Sequence, residues 1–342
     1  MPTIRQLALN EGKEKRFLSG HGLCQGCGIP IVVRTVLNSI ETPVAVVNAT
    51  GCLEVATTRF PNSAWNVPWL HVAFENVAAA ASGVEAAYRT LKRRGELPSD
   101  GPLTIVAFGG DGGTYDIGLQ SLSGALERGH RFLYVCYDNQ AYMNTGIQRS
   151  GATPFGANTT TSPAGTESFG KAQKRKDLTA IVAAHHIRYV AQASISHWHD
   201  LSEKVSHAVS CEGPSFLNVL STCQLGWRHA TKDTVRIARM AVDTRYWPLY
   251  EIVDGYYRLT HEPPHPLPVK EWLAAQGRFA HLFSEGNSEH LAEIQRQVDE
   301  DWMHISRRSR EDAAYFTAAL PSNGASSAAA TGSPRGAIAV ND

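Results

Sequence analysis

Two groups of residues in this chain have the types and spacing to do chemistry. The first is built from cysteine: Cys24-Gln25-Gly26-Cys27 in the glycine-rich stretch GHGLCQGCGIP, Cys52 in NATGC, and Cys223 in STCQLGW. Four thiolates gathered in one place suit a [4Fe–4S] cluster or a tetrahedral zinc ion; left ungathered, they are simply buried thiols. The other two of the six cysteines read as ordinary thiols, Cys136 inside the apolar run FLYVCYD and Cys211 just before Gly213-Pro214. The second group is Phe108-Gly109-Gly110-Asp111-Gly112-Gly113-Thr114-Tyr115-Asp116, followed later by Asp138-Asn139-Gln140-Ala141-Tyr142-Met143-Asn144. Glycines let a backbone approach a ligand closely, and the N–H groups of a helix beginning there aim at anionic oxygens, which is the construction of a phosphate site. Asp111 can hold the divalent ion that accompanies a diphosphate, Asn139 can add an amide oxygen and Ala141 its carbonyl. A surface turn would account for Gly-Asp-Gly alone; the spacing to Asn139 is what speaks for a metal and phosphate site.

These residues need a scaffold. PVAVVNAT (43–50), LTIVAFGG (103–110), RFLYVCYD (131–138), IRYVAQAS (187–194) and SFLNVLST (215–222) read as strands, several of them continuously apolar as strands buried on both faces are. Between them Pro30–Ile40, Asn76–Arg94, Asp116–Arg128, Asp177–His185 and Ser196–Ser210 have helical spacing. Asp116 and Asp177 are the expected N-caps, and Pro30 fits a first turn. The alternation predicts an α/β fold, a mostly parallel sheet with helices on both faces. Ligands of such sheets collect beyond the carboxyl ends of the strands. That edge receives Cys52 and Cys223, and the 26 residues between Gly112 and Asn139 bring Asn139 to the strand end beside Asp111.

Residues 139–176 form a polar stretch without periodicity, of the length that functional loops have. Residues 245–268, rich in aromatics and proline, read as an extended arm, with helices expected near 269–277 and 288–309. The expected organisation is an N-terminal arm (1–20), a ligand-binding domain (21–244), a C-terminal arm with helices (245–317) and a disordered low-complexity tail (318–342). The 32 Lys+Arg balance 32 Asp+Glu, without the basic footprint of a nucleic-acid binder. A 43% hydrophobic composition excludes global disorder, while no apolar run approaches the length of a membrane span and the first residues lack the apolar core of a signal peptide. A cytoplasmic protein is expected, in which cysteines serve as metal ligands and buried thiols rather than as disulfides.

GDG followed by Asn139 resembles the thiamine diphosphate and Mg²⁺ motif. Combined with GHGLCQGCG, ATGC, DNQAYMNTGIQRSGATPFGA and TCQLGW, it resembles the beta subunit of pyruvate:ferredoxin oxidoreductases and related 2-oxoacid:ferredoxin oxidoreductases. The likeness runs from about Gly20 to about Trp227. It implies a thiamine diphosphate-binding fold with a C-terminal helical extension, and a [4Fe–4S] cluster on Cys24, Cys27, Cys52 and Cys223. It also implies Mg²⁺ on Asp111, Asn139 and the carbonyl of Ala141, a cofactor site that includes Gly51, Gly110, Gly112 and Gly113, and Asn144 facing thiazolium and substrate. Where the family often has CPxGW, Gln224-Leu225 precede Gly226-Trp227 here, which touches the loop and not the ligand.

The implied reaction is oxidative decarboxylation of a 2-oxo acid, pyruvate first, with coenzyme A, to acyl-CoA and CO₂; electrons pass from thiamine diphosphate to the cluster and on to ferredoxin. No motif marks the glutamate that thiamine enzymes use on the aminopyrimidine, and Glu54 and Glu75 qualify by type alone. In the family a separate alpha subunit supplies it, with an arginine for the substrate carboxylate, so the chain alone is expected to be inactive. With no ferredoxin-like cysteine run here, electrons leave through gamma/delta subunits or another protein. Three alternatives stand beside this reading: a branched-chain or aromatic substrate with an NAD-linked acceptor subunit, a non-redox thiamine diphosphate decarboxylase, and a zinc-stabilised nucleotide-binding scaffold. Among 14 histidines, His71 is the one nearest the presumed cofactor, whereas His197 and His199 read as exposed or packed. The run Lys171–Lys176 reads as a solvated face, or else as a dock for coenzyme A phosphates or an acidic ferredoxin.

Overall fold

The computed structural model describes residues 3, 5, 14–97 and 102–319. Among these, one eight-stranded sheet is built from Val44–Ala49 (β1), Trp69–Val72 (β2), Thr104–Gly110 (β3), Leu133–Asp138 (β4), Tyr189–Ser194 (β5), Ser215–Leu220 (β6), Leu249–Val253 (β7) and Tyr256–His261 (β8). The spatial order is β2-β1-β3-β4-β6-β5-β7-β8, the first six strands parallel and the last two antiparallel. The helices are Ile29–Asn38 (α1), Cys52–Thr57 (α2), Val77–Arg93 (α3), Leu119–Glu127 (α4), Leu178–Ala183 (α5), Trp198–Ser210 (α6), Gln224–Trp227 (α7), Thr234–Asp243 (α8), Val269–Ala274 (α9), Ser288–Glu311 (α10) and Ala313–Ala319 (α11). This is the expected α/β architecture.

The alternation of side chains along each strand divides the core in two. Val46, Phe108, Val135 and Leu217 face α1 and α6 through Val33, Val36, Leu201 and Val205, and Val47, Ala107, Tyr134 and Phe216 face α3, α4 and α5. Strands β4, β5 and β6 are buried along their whole length, in keeping with their mostly apolar runs. A third apolar cluster joins Trp227 to Trp247, Trp272 and Phe279, and so packs the C-terminal segment onto the end of the sheet that carries Cys223.

All five expected strands form, and the expected helices lie where their periodicity put them. Asp177 caps α5, its Oδ1 accepting from Ala180 N at 3.0 Å. Asp116 is not a cap. The chain after β3 enters a π-helical turn, Gly112–Ile117, and α4 begins only after Gly118. The Asp116 carboxylate is taken instead by Gly151 N and Lys176 Nζ, each at 2.7 Å, because the long 139–176 loop returns to it. The stretch 245–268 is not an extended arm either: β7 and β8 form a hairpin that pairs with β5 and enlarges the sheet.

The run Lys171–Lys176 is corrected too. Lys171 is buried with Nζ on Thr153 O at 2.5 Å, Arg175 pairs with Asp138 at 3.0 Å, and Lys174 pairs with Asp301 at 2.6 Å. Lys171 and Arg175 tie the loop down from within, while Lys174 and Lys176 stay exposed in their ion pairs, so the run is a solvated face in part only. β2 and α2, α7 and α8 were not anticipated, β2 because four residues on a half-exposed edge carry little alternation. Among the described residues no helix is long and apolar enough to cross a membrane. The expected tail lies outside the described residues from 320 onward.

Candidate active site at the carboxyl edge of the sheet

Gly51, Gly110, Asp111, Gly112, Gly113, Asn139, Ala141 and Asn144, the residues expected to touch cofactor or substrate, line one cavity together with Cys52. They meet because β1, β3 and β4 are consecutive in the sheet and end at the same edge. Gly51 takes φ 156°, ψ −166° as the chain turns from β1 into α2, a combination open in practice only to glycine. Gly112 sits where a Cβ would strike the Tyr142 ring, whose hydroxyl donates to Gly112 O at 3.0 Å. Overpacking of this kind costs about 1–3 kcal/mol. Gly112→Ala should therefore push Tyr142 aside and weaken thiamine diphosphate binding about tenfold or more, as equilibrium dialysis would read.

Asp111 is buried, with Oδ2 accepting from Ser150 Oγ at 2.5 Å. The side-chain amide of Asn139 lies 2.9 Å from both Asp111 Oδ1 and Ala141 O. With its nitrogen there the amide donates to both oxygens. Turned over, it presents a third oxygen, and the separations suit one cation: ligand bonds of 2.0–2.1 Å give octahedral edges of about 2.8–3.0 Å. Burial, and then the nearby Asp138 carboxylate, hold the Asp111 carboxyl well above its usual range against hydrogen bonds from Ser150 and from the Asn139 and Asp111 backbone, so its charged form is only partly compensated within the chain. The oxygen donor set thus fits Mg²⁺.

Asp138 is fully buried beneath it and accepts from Tyr115 Oη at 2.6 Å, Arg175 Nη2 at 3.0 Å and Gln140 N at 3.1 Å. Gln140 itself takes a left-handed φ of 69°, the bend that directs Asn139 and Ala141 to one point. Asn144 stands at the exposed tip of the same loop. At the rim, His71 Nε2 is 2.7 Å from Thr50 Oγ1 and 3.7 Å from Glu54 Oε2. His197 packs on His261, with ring centroids 4.6 Å apart.

The cysteines approach the same edge. Gly28 N donates to Thr222 O at 3.1 Å, which seats the Cys24–Cys27 loop against the end of β6 beside Cys223. The Cys223 sulfur caps α7, accepting from Gly226 N at 3.4 Å. Burial, opposed by a hydrogen bond from the Ile29 backbone and reinforced by Cys223 and Cys24, pushes the Cys27 thiol up to about 12. Burial, then Cys223, Cys27, Cys24 and Asp111, push Cys52 up as well. Burial is the larger cause at both sulfurs, and the secondary influence of the other cysteines places Cys24, Cys27, Cys52 and Cys223 in one neighbourhood adjoining Asp111; a cationic group there would favour thiolates. Among the described residues no three His, Cys, Asp or Glu side chains are grouped as a single metal ion requires. The donor set is all sulfur, which suits an iron–sulfur cluster or a zinc ion. Cys136 is fully buried in β4 and Cys211 half-buried at the end of α6, each away from this set.

Residues 49–219 match the family described as thiamine pyrophosphate enzyme, C-terminal TPP binding domain; thiamine pyrophosphate is another name for thiamine diphosphate. That span holds the residues from Gly51 to Asn144 and leaves out Cys24, Cys27 and Cys223. Over 307 residues the chain is 52% identical to the pyruvate synthase subunit PorB of Thermotoga maritima, covering 88% of this chain and 95% of that one. The chain belongs to the PorB family. PorB of Methanocaldococcus jannaschii is 51% identical over 288 residues, covering 84% of this chain and 95% of the relative. The ketoisovalerate oxidoreductase subunit VorB of Pyrococcus abyssi is 42% identical over 298 residues, covering 86% and 93%. Among solved structures, a 2-oxoglutarate:ferredoxin oxidoreductase from Magnetococcus marinus shares the fold, with a TM-score of 0.50 and 21% identity over 67% of this chain and 81% of that one.

In this PorB-family chain several residues act on the site without being legible as such. Ser150 holds Asp111, Tyr142 covers Gly112, and Trp227 Nε1 donates to Asn139 O at 2.8 Å, tying the loop after Cys223 to the turn at Asn139. Gln224-Leu225 are accommodated in α7 with Cys223 still at its cap. Ser150 and Tyr142 fall within DNQAYMNTGIQRSGATPFGA, so the motif contained them; nothing in it said which atoms they hold.

Proposed function

We propose that this chain is the thiamine diphosphate-binding subunit of a 2-oxoacid:ferredoxin oxidoreductase acting on pyruvate. The observation that carries the reading is the Asn139 amide lying 2.9 Å from both Asp111 Oδ1 and Ala141 O, in a cavity that Cys52 also lines and at the sheet edge that Cys24, Cys27 and Cys223 approach. Asp111, Asn139 and Ala141 would hold Mg²⁺, the backbone of Gly110, Gly112 and Gly113 the diphosphate, and Gly51 the approach of the cofactor. Cys24, Cys27, Cys52 and Cys223 would hold a [4Fe–4S] cluster. Bound thiamine diphosphate supplies a carbon nucleophile and electron sink for decarboxylation, and a bound cluster takes up electrons singly. Asn144 orients the substrate from the loop tip, and Tyr142 and Phe74, stacked at 5.7 Å between ring centroids, wall the cradle from water.

An alpha subunit completes the site with a glutamate and the arginine for the substrate carboxylate, and gamma/delta subunits or ferredoxin take the electrons onward. The exposed apolar side chains of Ile117 and Leu225, one beyond the GDG turn and one beside Cys223, are in keeping with such partners. Pyruvate leads because the relatives at 51–52% identity are pyruvate synthase subunits, and the 42% relative makes 2-oxoisovalerate the second substrate. Co-purified with its partners and given coenzyme A and a viologen acceptor, the complex should reduce the viologen fastest with pyruvate in a panel with 2-oxoisovalerate, phenylpyruvate and 2-oxoglutarate. It should be brown and bleach with dithionite. A colourless, zinc-containing complex, or one that reduces viologen with none of these acids, overturns the proposal.

A further inference from the structure

Arg278 is an arginine that the reaction scheme leaves unused, and its setting is unusual. It lies in the 3₁₀ turn Gly277–Phe283, in the segment that follows the sheet, and is only 2% exposed. Among the described residues no carboxylate pairs with it directly. Its Nη2 donates to Gln140 Oε1 at 2.6 Å, its Nε donates to Gln276 Oε1 at 3.0 Å, and its guanidinium lies over the Trp227 ring at 4.0 Å. Burying a cation without an anion is costly, and such a charge persists when something nearby repays it. Burial lowers Arg278 to about 9, opposed at longer range by Tyr246, Cys223, Asp138 and Asp111 in their ionised forms. Two of these, Cys223 and Asp111, belong to the two halves of the site.

Two of its direct contacts, Gln140 and Trp227, are also strategic. Gln140 sits between Asn139 and Ala141 in a left-handed conformation that a side-chain residue holds only when its surroundings enforce it. The enforcement is visible: Gln140 N donates to Asp138 Oδ1, its carbonyl accepts from Thr153 Oγ1 at 2.7 Å, and its side chain accepts from Arg278. Trp227, under the guanidinium, donates to Asn139 O from the helix that Cys223 caps. One buried fork therefore touches the turn that aims the metal-binding oxygens and the helix that carries the fourth cysteine.

We infer that Arg278 is a positioning residue for both halves of the site: its fork fixes the Gln140 turn that holds Mg²⁺ and thiamine diphosphate, and its charge offsets the negative charge gathered at Cys223. The inference rests on the proposed function, and its two arms are measured separately. Arg278→Lys keeps the charge but cannot fork to Gln140 and Gln276 together. Gln140→Met removes the acceptor and leaves Arg278 in place. In the assembled complex, both variants should bind thiamine diphosphate with Mg²⁺ about tenfold more weakly by equilibrium dialysis, with unchanged circular dichroism.

At a fixed potential, the ratio of reduced to oxidised cluster by electron paramagnetic resonance should stay at the wild-type value in both variants. In Arg278→Gln it should fall about tenfold, equivalent to about 59 mV for one electron. Wild-type cofactor affinity in Arg278→Lys and Gln140→Met overturns the positioning arm, and a wild-type ratio in Arg278→Gln overturns the charge arm. A wild-type complex lacking iron would remove the cluster assignment and the charge arm with it, while the dialysis result would still decide the positioning arm. If Arg278→Gln fails to assemble, Arg278→Met, which keeps the stem's apolar packing over Trp227, carries the same comparison.

Discussion

Asp111→Asn is expected to lower the affinity for thiamine diphosphate with Mg²⁺ at least about 100-fold, some 2.7 kcal/mol, while the cofactor-free protein melts at or above the wild-type temperature at pH 7. The two effects come from one cause. Asp111 is buried beside a second buried carboxylate, which the hydrogen bonds from Ser150 and from the Asn139 and Asp111 backbone do not offset, so its charge is unfavourable until a cation arrives. The neutral amide keeps the shape but loses the strongest ligand. The pH dependence follows with a fixed sign. The folded state holds the Asp111 proton more tightly than the unfolded chain does. This carboxyl therefore takes stability away as pH rises from its unfolded value of about 3.9 through its raised folded value. The melting advantage of the variant should then shrink as pH is lowered towards about 4. Calorimetry of both proteins, stripped of cofactor, reads the stability; dialysis reads the affinity. A variant that retains thiamine diphosphate like wild type would remove Asp111 from the metal site.

Cys223→Ser is expected to abolish or destabilise the iron–sulfur centre, with loss of the brown absorbance and a fall in viologen reduction of two orders of magnitude or more, while thiamine diphosphate is retained. The sulfur stands at the end of β6, capping α7 and facing Cys27, Cys52 and Cys24 across the sheet edge. A serine hydroxyl can still accept from Gly226 N, so the helix cap survives and the effect is confined to ligation. Iron content, visible absorbance and bound thiamine, measured on one sample of the complex, separate this outcome from misfolding. An unchanged electron-transfer rate would count against the assignment of Cys223, and loss of thiamine alongside iron would show that α7 had moved.

The scaffold was legible where the chain repeats itself. Buried strands such as FLYVCYD announce themselves because burial on both faces favours apolar side chains, and Asp177 works as a cap because its partner is three residues away. Asp116 has the same residue type in a similar position, yet its carboxylate goes to Gly151 and Lys176, 35 and 60 residues on. Local chemistry offered a cap, and a returning loop offered better partners. Lys171–Lys176 is the same lesson in charge: a run that looks solvated in one dimension is anchored to Thr153, Asp138 and Asp116 in three.

By itself the sequence determined which residues could do chemistry and in what order they come: Cys24, Cys27, Cys52 and Cys223 as sulfur donors, Asp111 and Asn139 as oxygen donors one helix and one strand apart, and glycines where a ligand must come close. These follow from residue type and spacing, which are properties of the chain. Tertiary structure alone decided what those residues meet. It gave Gln140 its left-handed bend, set Trp227 on the carbonyl of Asn139, and buried Arg278 between the helix that Cys223 caps and the turn at Gln140, 138 residues from Gln140 in the chain. Contacts of that separation leave no periodicity behind, because the free energy that selects them is the burial and satisfaction of polar groups in the folded core, which no local window of sequence contains.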